Sequence, residues 1–309
     1  MKIVILDKST LGKDVDLKPI ENLGEIISYE LIENEDEVVK AISDAPIIIT
    51  NKVLITRNIM KKTNLKLICI SATGMNNVDL DAAKELGITV KNVVDYSTNS
   101  VAQVTFSYVF KFLSNIDYYN NYTKDKKWID SKIFTNLDAP FFELNNKNWG
   151  IIGLGNIGSK VAQIASSFGC NIKYFSTSGK NNNTQYEKIE LNELLKTSNI
   201  ISIHCPLNES TKNLLNKSNL NLIKDNSILV NVGRGGIINE KDLVEVFNES
   251  KFKCALDTIE SEPMSKNSPL IDILGNERFI CTPHIAWSSI EARNILIEKI
   301  AKNIKDFMI

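Results

Sequence analysis

Short runs of β-branched and aliphatic residues alternate with stretches of helical period along almost the whole chain. Residues 2–6, 46–50, 67–71 and 88–91 read as strands, with helix-like segments between them. A second series covers 148–153, 171–175, 200–204, 227–231, 252–256 and 278–282. This alternation is the signature of a parallel sheet, and two series predict two sheets in two domains. Between the series, 97–116 is apolar and helix-like and predicts a connecting helix. The segment 117–147 is rich in Tyr, Asn and Lys without clear period and predicts an irregular arm. Ile290, Ile297, Ile300, Ile304 and Met308 recur at helical spacing, so the stretch 288–309 is expected to be an amphipathic helix.

Composition narrows the function classes. A chain of 309 residues with 43% hydrophobic content can bury a core of two ordinary domains. Its 36 basic and 37 acidic side chains nearly cancel, and no block of like charge marks a polyanion-binding face, which argues against nucleic acid or an anionic membrane as main partner. A small molecule is the expected ligand. The apolar run at 3–6 is too short for a signal-peptide core, and no run approaches the roughly 18 residues of a membrane span, so a soluble, cytoplasmic protein is expected. The five cysteines (Cys69, Cys170, Cys205, Cys254 and Cys281) include no C-x-x-C pair and read as buried, reduced thiols. The two histidines stand far apart with no H-E-x-x-H or close Cys/His cluster, so no metal site is expected.

The sharpest local signal is Gly153-Leu154-Gly155-Asn156-Ile157-Gly158, a G-x-G-x-x-G that follows a predicted strand and opens a helical pattern at 160–168. In that context the first glycine permits the tight turn, the second lets backbone approach a pyrophosphate, and the third lets helix pack on strand. The diphosphate then meets free N–H groups at a helix N-terminus. A dinucleotide is the expected cofactor. An acidic residue about 20 positions on would bond the adenosine ribose of NAD. Here Ser176 stands at that position, followed by Thr177, Ser178 and Lys180 with no carboxylate. NAD is the first expectation, and the missing negative charge leaves NADP open.

Three features fall at the carboxyl ends of successive strands of the second series, where open α/β sheets bind ligands. Arg234 lies in Asn231-Val232-Gly233-Arg234-Gly235-Gly236, with a guanidinium fork suited to a carboxylate and flanking glycines near which backbone could approach a flat ring. Asp257 is followed by Glu262-Pro263, and His284 sits in Thr282-Pro283-His284-Ile285-Ala286-Trp287. Hydride transfer to a keto carbon leaves an alkoxide that needs a proton donor, and a carboxylate beside a histidine favours the charged imidazolium. Arg234, Glu262 and His284 are therefore the expected catalytic residues. His204, beside Cys205 and Pro206, reads as packed or as part of a cofactor wall.

Taken in order, S-A-T-G-M-N-N-V-D (71–79), S-V-A-Q-V-T-F (100–106), G-I-I-G-L-G-N-I-G (150–158), H-C-P-L (204–207), N-V-G-R-G-G (231–236), D-T-I-E-S-E-P (257–263) and T-P-H-I-A-W (282–287) closely resemble the D-isomer-specific 2-hydroxyacid dehydrogenases. The resemblance covers essentially the whole chain, and S-A-T-G, N-N-V-D and H-I-A-W are most similar to the glycerate dehydrogenase, or hydroxypyruvate reductase, branch. It implies that Arg234 binds the substrate carboxylate and keto oxygen, that His284 donates the proton, and that Glu262 is its partner. It also implies substrate contacts from Ala72, Thr73 and Gly74. Asp257 would stand at the nicotinamide end and Cys205-Pro206 on the adenosine side, with Val232, Gly233 and Ala286 among the cofactor contacts. Val104 stands where many relatives have histidine, which blurs the branch and leaves the chemistry untouched.

The resulting expectation is two α/β domains, Rossmann-like or flavodoxin-like doubly wound parallel sheets with a cleft between them. Residues 1–98 with 285–309 would form the substrate domain and 99–284 the cofactor domain, and the protein would be a homodimer through the latter. The expected reaction interconverts a small 2-keto acid and its D-2-hydroxy acid. A phosphoglycerate dehydrogenase is the nearest alternative within the enzymes. A dinucleotide-sensing interaction protein of the same fold is the alternative outside them.

Overall fold

The computed structural model describes residues 1–309. It forms two compact units, Met1–Ser97 with Ser288–Ile309 (unit 1) and Thr98–Trp287 (unit 2). The second boundary lies a few residues beyond the expected break after residue 284, because the loop that follows the last strand is tied to unit 2: the amides of Ile285 and Ala286 both donate to Asp257.

Unit 1 contains β1 (Lys2–Ile5), α1 (Lys18–Glu21), β2 (Glu25–Ser28), α2 (Glu35–Ile42), β3 (Ile47–Thr50), α3 (Arg57–Lys62), β4 (Leu67–Ile70), α4 (Leu80–Glu85) and β5 (Thr89–Lys91). Its strands run in the order β2-β1-β3-β4-β5, all parallel. The runs Ile3-Val4-Ile5 and Ile47-Ile48-Ile49 are fully buried, as strands covered on both faces must be. Helix starts follow local chemistry. Asn34 accepts the amides of Asp36 and Glu37 at the head of α2, and Asp79 accepts that of Ala82 at the head of α4. Strand β2 escapes the sequence pattern because it is an edge strand with two isoleucines between exposed Glu25 and Ser28.

Unit 2 contains α5 (Thr98–Ser114), α6 (Ile116–Lys124), β6 (Asn148–Ile152), α7 (Asn156–Ser167), β7 (Asn171–Phe175), β8 (Glu187–Lys188), α8 (Leu191–Thr197), β9 (Ile200–Ile203), α9 (Lys217–Leu220), β10 (Ile228–Asn231), α10 (Glu240–Glu249), β11 (Lys253–Leu256) and β12 (Phe279–Cys281). The parallel order is β12-β11-β10-β9-β6-β7-β8. The expected arm is irregular only from residue 125 onward, since its first part is α6. That helix buries no side chain and so carries no apolar period to betray it. Under the sheet, Phe106 of α5 lies against Trp149, with ring centroids 4.9 Å apart, and Trp149 is fully buried with its indole N–H on Ser202 Oγ at 2.8 Å. The chain then returns to unit 1 as α11 (Ile290–Met308), which buries Leu296, Ile297, Ile300 and Ile304. No helix is long and apolar enough to cross a membrane.

Each sheet has one switch point, where strand order reverses and a crevice opens beyond the strand ends. In unit 2 it lies between β6 and β9. In unit 1 it lies between β1 and β3, and there the buried carboxylate of Asp7 accepts the amides of Asn51 (2.8 Å) and Lys52 (2.7 Å) and the hydroxyl of Thr50 (3.1 Å). The crevice of unit 1 is thus closed by the chain's own anion.

Candidate active site

The glycine-rich turn is built as its sequence requires. Gly153 follows β6 at φ +92°, a backbone that side chains rarely adopt, and a Cβ at Gly158 would fall 2.2 Å from the Gly153 carbonyl oxygen. Around Gly155, by contrast, a Cβ would meet nothing within 4 Å. That open face lies at the N-cap of α7, which begins at Asn156, earlier than the helical pattern suggests, and carries no side-chain cap. An uncapped helix start beside open glycine backbone fits a dinucleotide pyrophosphate. The neighbouring wall is Cys205, whose Cβ would stand 2.8 Å from one added to Gly153.

At the end of β7, Ser176 is buried and its Oγ accepts the Asn181 amide at 3.3 Å, while Asn181 Nδ2 donates to the Leu154 carbonyl at 2.6 Å. Ser176 is thereby part of a turn that clasps the glycine-rich loop. Asn181 is a residue that sequence reasoning missed, since an amide in an Asn-rich stretch carries no signal of its own. At the end of β9, His204 Nε2 pairs with Ser202 Oγ at 2.9 Å, and Nδ1 is buried without a partner. The ring edge is only partly covered, but burial pushes the imidazole down to about 3.

The catalytic candidates occupy three adjacent loops at the ends of β10, β11 and β12. Asp257, fully enclosed after β11, holds the loop that carries His284. Its Oδ1 accepts Ile285 N (2.8 Å), Thr282 Oγ1 (2.7 Å) and Tyr108 Oη (3.2 Å), and its Oδ2 accepts Ala286 N (2.8 Å). Its carbonyl takes the amide of His284 at 2.9 Å. The aspartate expected at the nicotinamide end therefore spends its oxygens on the loop. Tyr108, unremarked in the sequence, supplies one of the donors, and burial pushes its hydroxyl up. Ser100 Oγ closes the far end of the loop on the Ala286 carbonyl at 2.6 Å.

Held this way, His284 adopts φ +53° and presents Nδ1 to Glu262 Oε2 at 2.7 Å. Both side chains keep about a quarter to a third of their surface, 25% and 30%. Glu262 Oε1 accepts the amide of Ile259 at 3.1 Å, so both carboxylate oxygens are engaged. Arg234 is half-buried and donates to the Gly233 carbonyl at 2.8 Å. Asn231 Nδ2 secures the Arg234 carbonyl at 2.9 Å. The glycines beside Arg234 serve packing between loops: a Cβ on Gly235 would lie 1.9 Å from the Ile259 carbonyl oxygen, and one on Gly233 would lie 3.0 Å from that of Cys205. Val232 is buried and Pro206 exposed beside the same loops. Ala72, Thr73 and Gly74 form a turn in unit 1 after β4, fixed by Thr73 Oγ1 on the Val93 carbonyl (3.1 Å) and Asn92 Nδ2 on the Thr73 carbonyl (2.7 Å). With Met75, Asn76 and Asp79, Thr73 and Gly74 line an open concavity.

Residues 106–286 match the family model described as D-isomer specific 2-hydroxyacid dehydrogenase, NAD binding domain. The chain belongs to this family. As a D-isomer-specific 2-hydroxyacid dehydrogenase it is an enzyme that depends on a nicotinamide dinucleotide. It is 37% identical to a hydroxypyruvate reductase of Blautia hydrogenotrophica over 100% of this chain and 97% of the relative. Among solved structures it is similar to an acyclic imino acid reductase (Bsp5) in complex with NADPH and D-Arg, with TM-score 0.85, 28% identity and coverage of 100% and 97% of the two chains. It is also similar to the D-lactate dehydrogenase of Aquifex aeolicus complexed with NAD and lactic acid, with TM-score 0.82, 26% identity and coverage of 100% and 95%.

A histidine whose proton affinity falls on folding stabilises the fold above its unfolded value and loses that contribution as pH drops toward its folded one. For His204 the window runs from about 6.5 down to about 3. Thermal unfolding of His204→Asn should therefore lose less stability than the parent between about pH 6.5 and 4; identical pH dependence of the two midpoints would contradict the buried, neutral imidazole.

Proposed function

We propose that the enzyme reduces a small 2-keto acid of the hydroxypyruvate or glyoxylate type to its D-2-hydroxy acid, with Arg234, Glu262 and His284 as its catalytic residues. The observation that carries this reading is the Glu262–His284 pair at 2.7 Å, held on loops at adjacent strand ends with Arg234 on the next loop. The bound dinucleotide supplies the hydride that the keto carbon accepts. His284 delivers the proton to the keto oxygen. Glu262 engages Nδ1, which leaves Nε2 as the ring nitrogen for substrate. The guanidinium of Arg234 suits the substrate carboxylate and polarises the carbonyl, contributing orientation as well as charge.

NAD is the proposed cofactor, bound by the glycine-rich turn of Gly153, Gly155, Asn156, Ile157 and Gly158, by Ser176, and by the His204-Cys205-Pro206 segment. The stretch 176–186 contains no carboxylate to repel a 2′-phosphate, which supports use of NADP as well. Five free thiols, four of them buried, suit a reducing cytoplasm. A homodimer through unit 2 is supported by Trp128, Ile129, Ile133, Phe134 and Leu137, apolar side chains exposed along the arm, with Phe134 at 87%.

Replacing His284 by Ala should lower turnover at least about a hundredfold with cofactor affinity nearly unchanged; full activity in this variant would sink the mechanism. A steady-state panel of hydroxypyruvate, glyoxylate, pyruvate and a bulkier keto acid should give the highest kcat/KM for one of the first two, with NADPH within about tenfold of NADH. Failure to reduce any 2-keto acid would overturn the reading. Sedimentation at micromolar concentration should show a dimer, and a monomer there would refute the role given to the arm.

A further inference from the structure

A buried carboxylate behind the Glu262–His284 pair has no part in the scheme above. Glu240 is the first residue of α10, where the helix dipole favours an acid and where such a side chain ordinarily points into water. Here it is 7% exposed, and a carboxylate that deeply enclosed needs a donor. The donor is the backbone amide of Glu260, at 2.5 Å from Oε1. The peptide it holds, Ile259–Glu260, adjoins the one whose Ile259 amide donates to Glu262 Oε1, and Glu262 Oε2 pairs with His284. Gly235, next to Arg234, presses on the same peptide at the Ile259 carbonyl.

We propose that Glu240 is a positioning residue for the Glu262–His284 pair, acting through the Glu260 amide on the loop that carries Glu262. The proposal rests on the assignment of His284 as proton donor. The titratable groups that face Glu240 are Glu260 and Glu262 on that loop and Cys281 at the end of β12. Burial, with those two carboxylates beside it, holds its carboxyl above the usual range. As an acceptor Glu240 fixes the loop, and a neutral amide oxygen can do the same.

The test compares kcat and KM of Glu240→Ala, Glu240→Gln, Glu240→Asp and His284→Ala, reducing hydroxypyruvate with NADH. Glu240→Ala should lower kcat by about tenfold with KM for NADH within about twofold. Glu240→Gln, which keeps the acceptor, should return kcat to within about twofold of the parent, whereas Glu240→Asp, whose shorter side chain withdraws it, should not. Wild-type kcat in Glu240→Ala, or a loss in Glu240→Gln as deep as that in Glu240→Ala, with His284→Ala inactive, would overturn this proposal alone. Full activity in His284→Ala would overturn the functional reading itself. Should Glu240→Ala fail to fold, the Asp variant decides, and wild-type kcat there counts against the proposal.

Discussion

The buried carboxylate of Asp257 governs how the chemistry of unit 2 is displayed. Four donors converge on its two oxygens, and three of them come from the loop 282–286. A loop of that length has no core of its own and would otherwise sample many conformations, at a cost in order of about 1–2 kcal/mol for each residue fixed. Charge-assisted bonds in an enclosed site offset that cost. His284 can then sit at a positive φ that its own side chain disfavours, aimed at Glu262. The placement of the pair therefore depends on a residue whose oxygens are taken up by the loop itself and by Tyr108. The same logic extends sideways, since Gly235 against Ile259 and Asn231 on the Arg234 carbonyl lock the arginine loop to its neighbour.

Much of this was legible in the sequence, for a physical reason. Strands buried on both faces, such as Ile47–Thr50, announce themselves as apolar runs, and loops at their carboxyl ends collect the polar residues that chemistry needs. Arg234, Asp257 and His284 stand out in that frame because each follows such a run. Glycines with a geometric duty, such as Gly153 at positive φ, are equally visible.

What stayed hidden has a common cause. Strands β2 and β8 and helix α6 lie at edges or on the surface and bury too little to impose a period. Tyr108, Asn181 and Glu240 act through hydrogen bonds to partners distant in sequence, and no spacing rule marks such a residue. The packing of glycines 233 and 235 was hidden for the same reason, because the backbone they abut belongs to other loops. Asp257 was noticed for its position, yet its hydrogen bonds turn inward to the loop.

The two sheets share an architecture and differ at one point in what their crevices hold. In unit 2 the switch point opens onto glycine backbone with nothing against it, whereas in unit 1 Asp7 occupies the corresponding place with its own carboxylate. Amides bound to Asp7 are amides withheld from a phosphate. Repeating a fold within one chain therefore does not repeat its crevice: a single internal carboxylate takes up amides that an incoming anion would need.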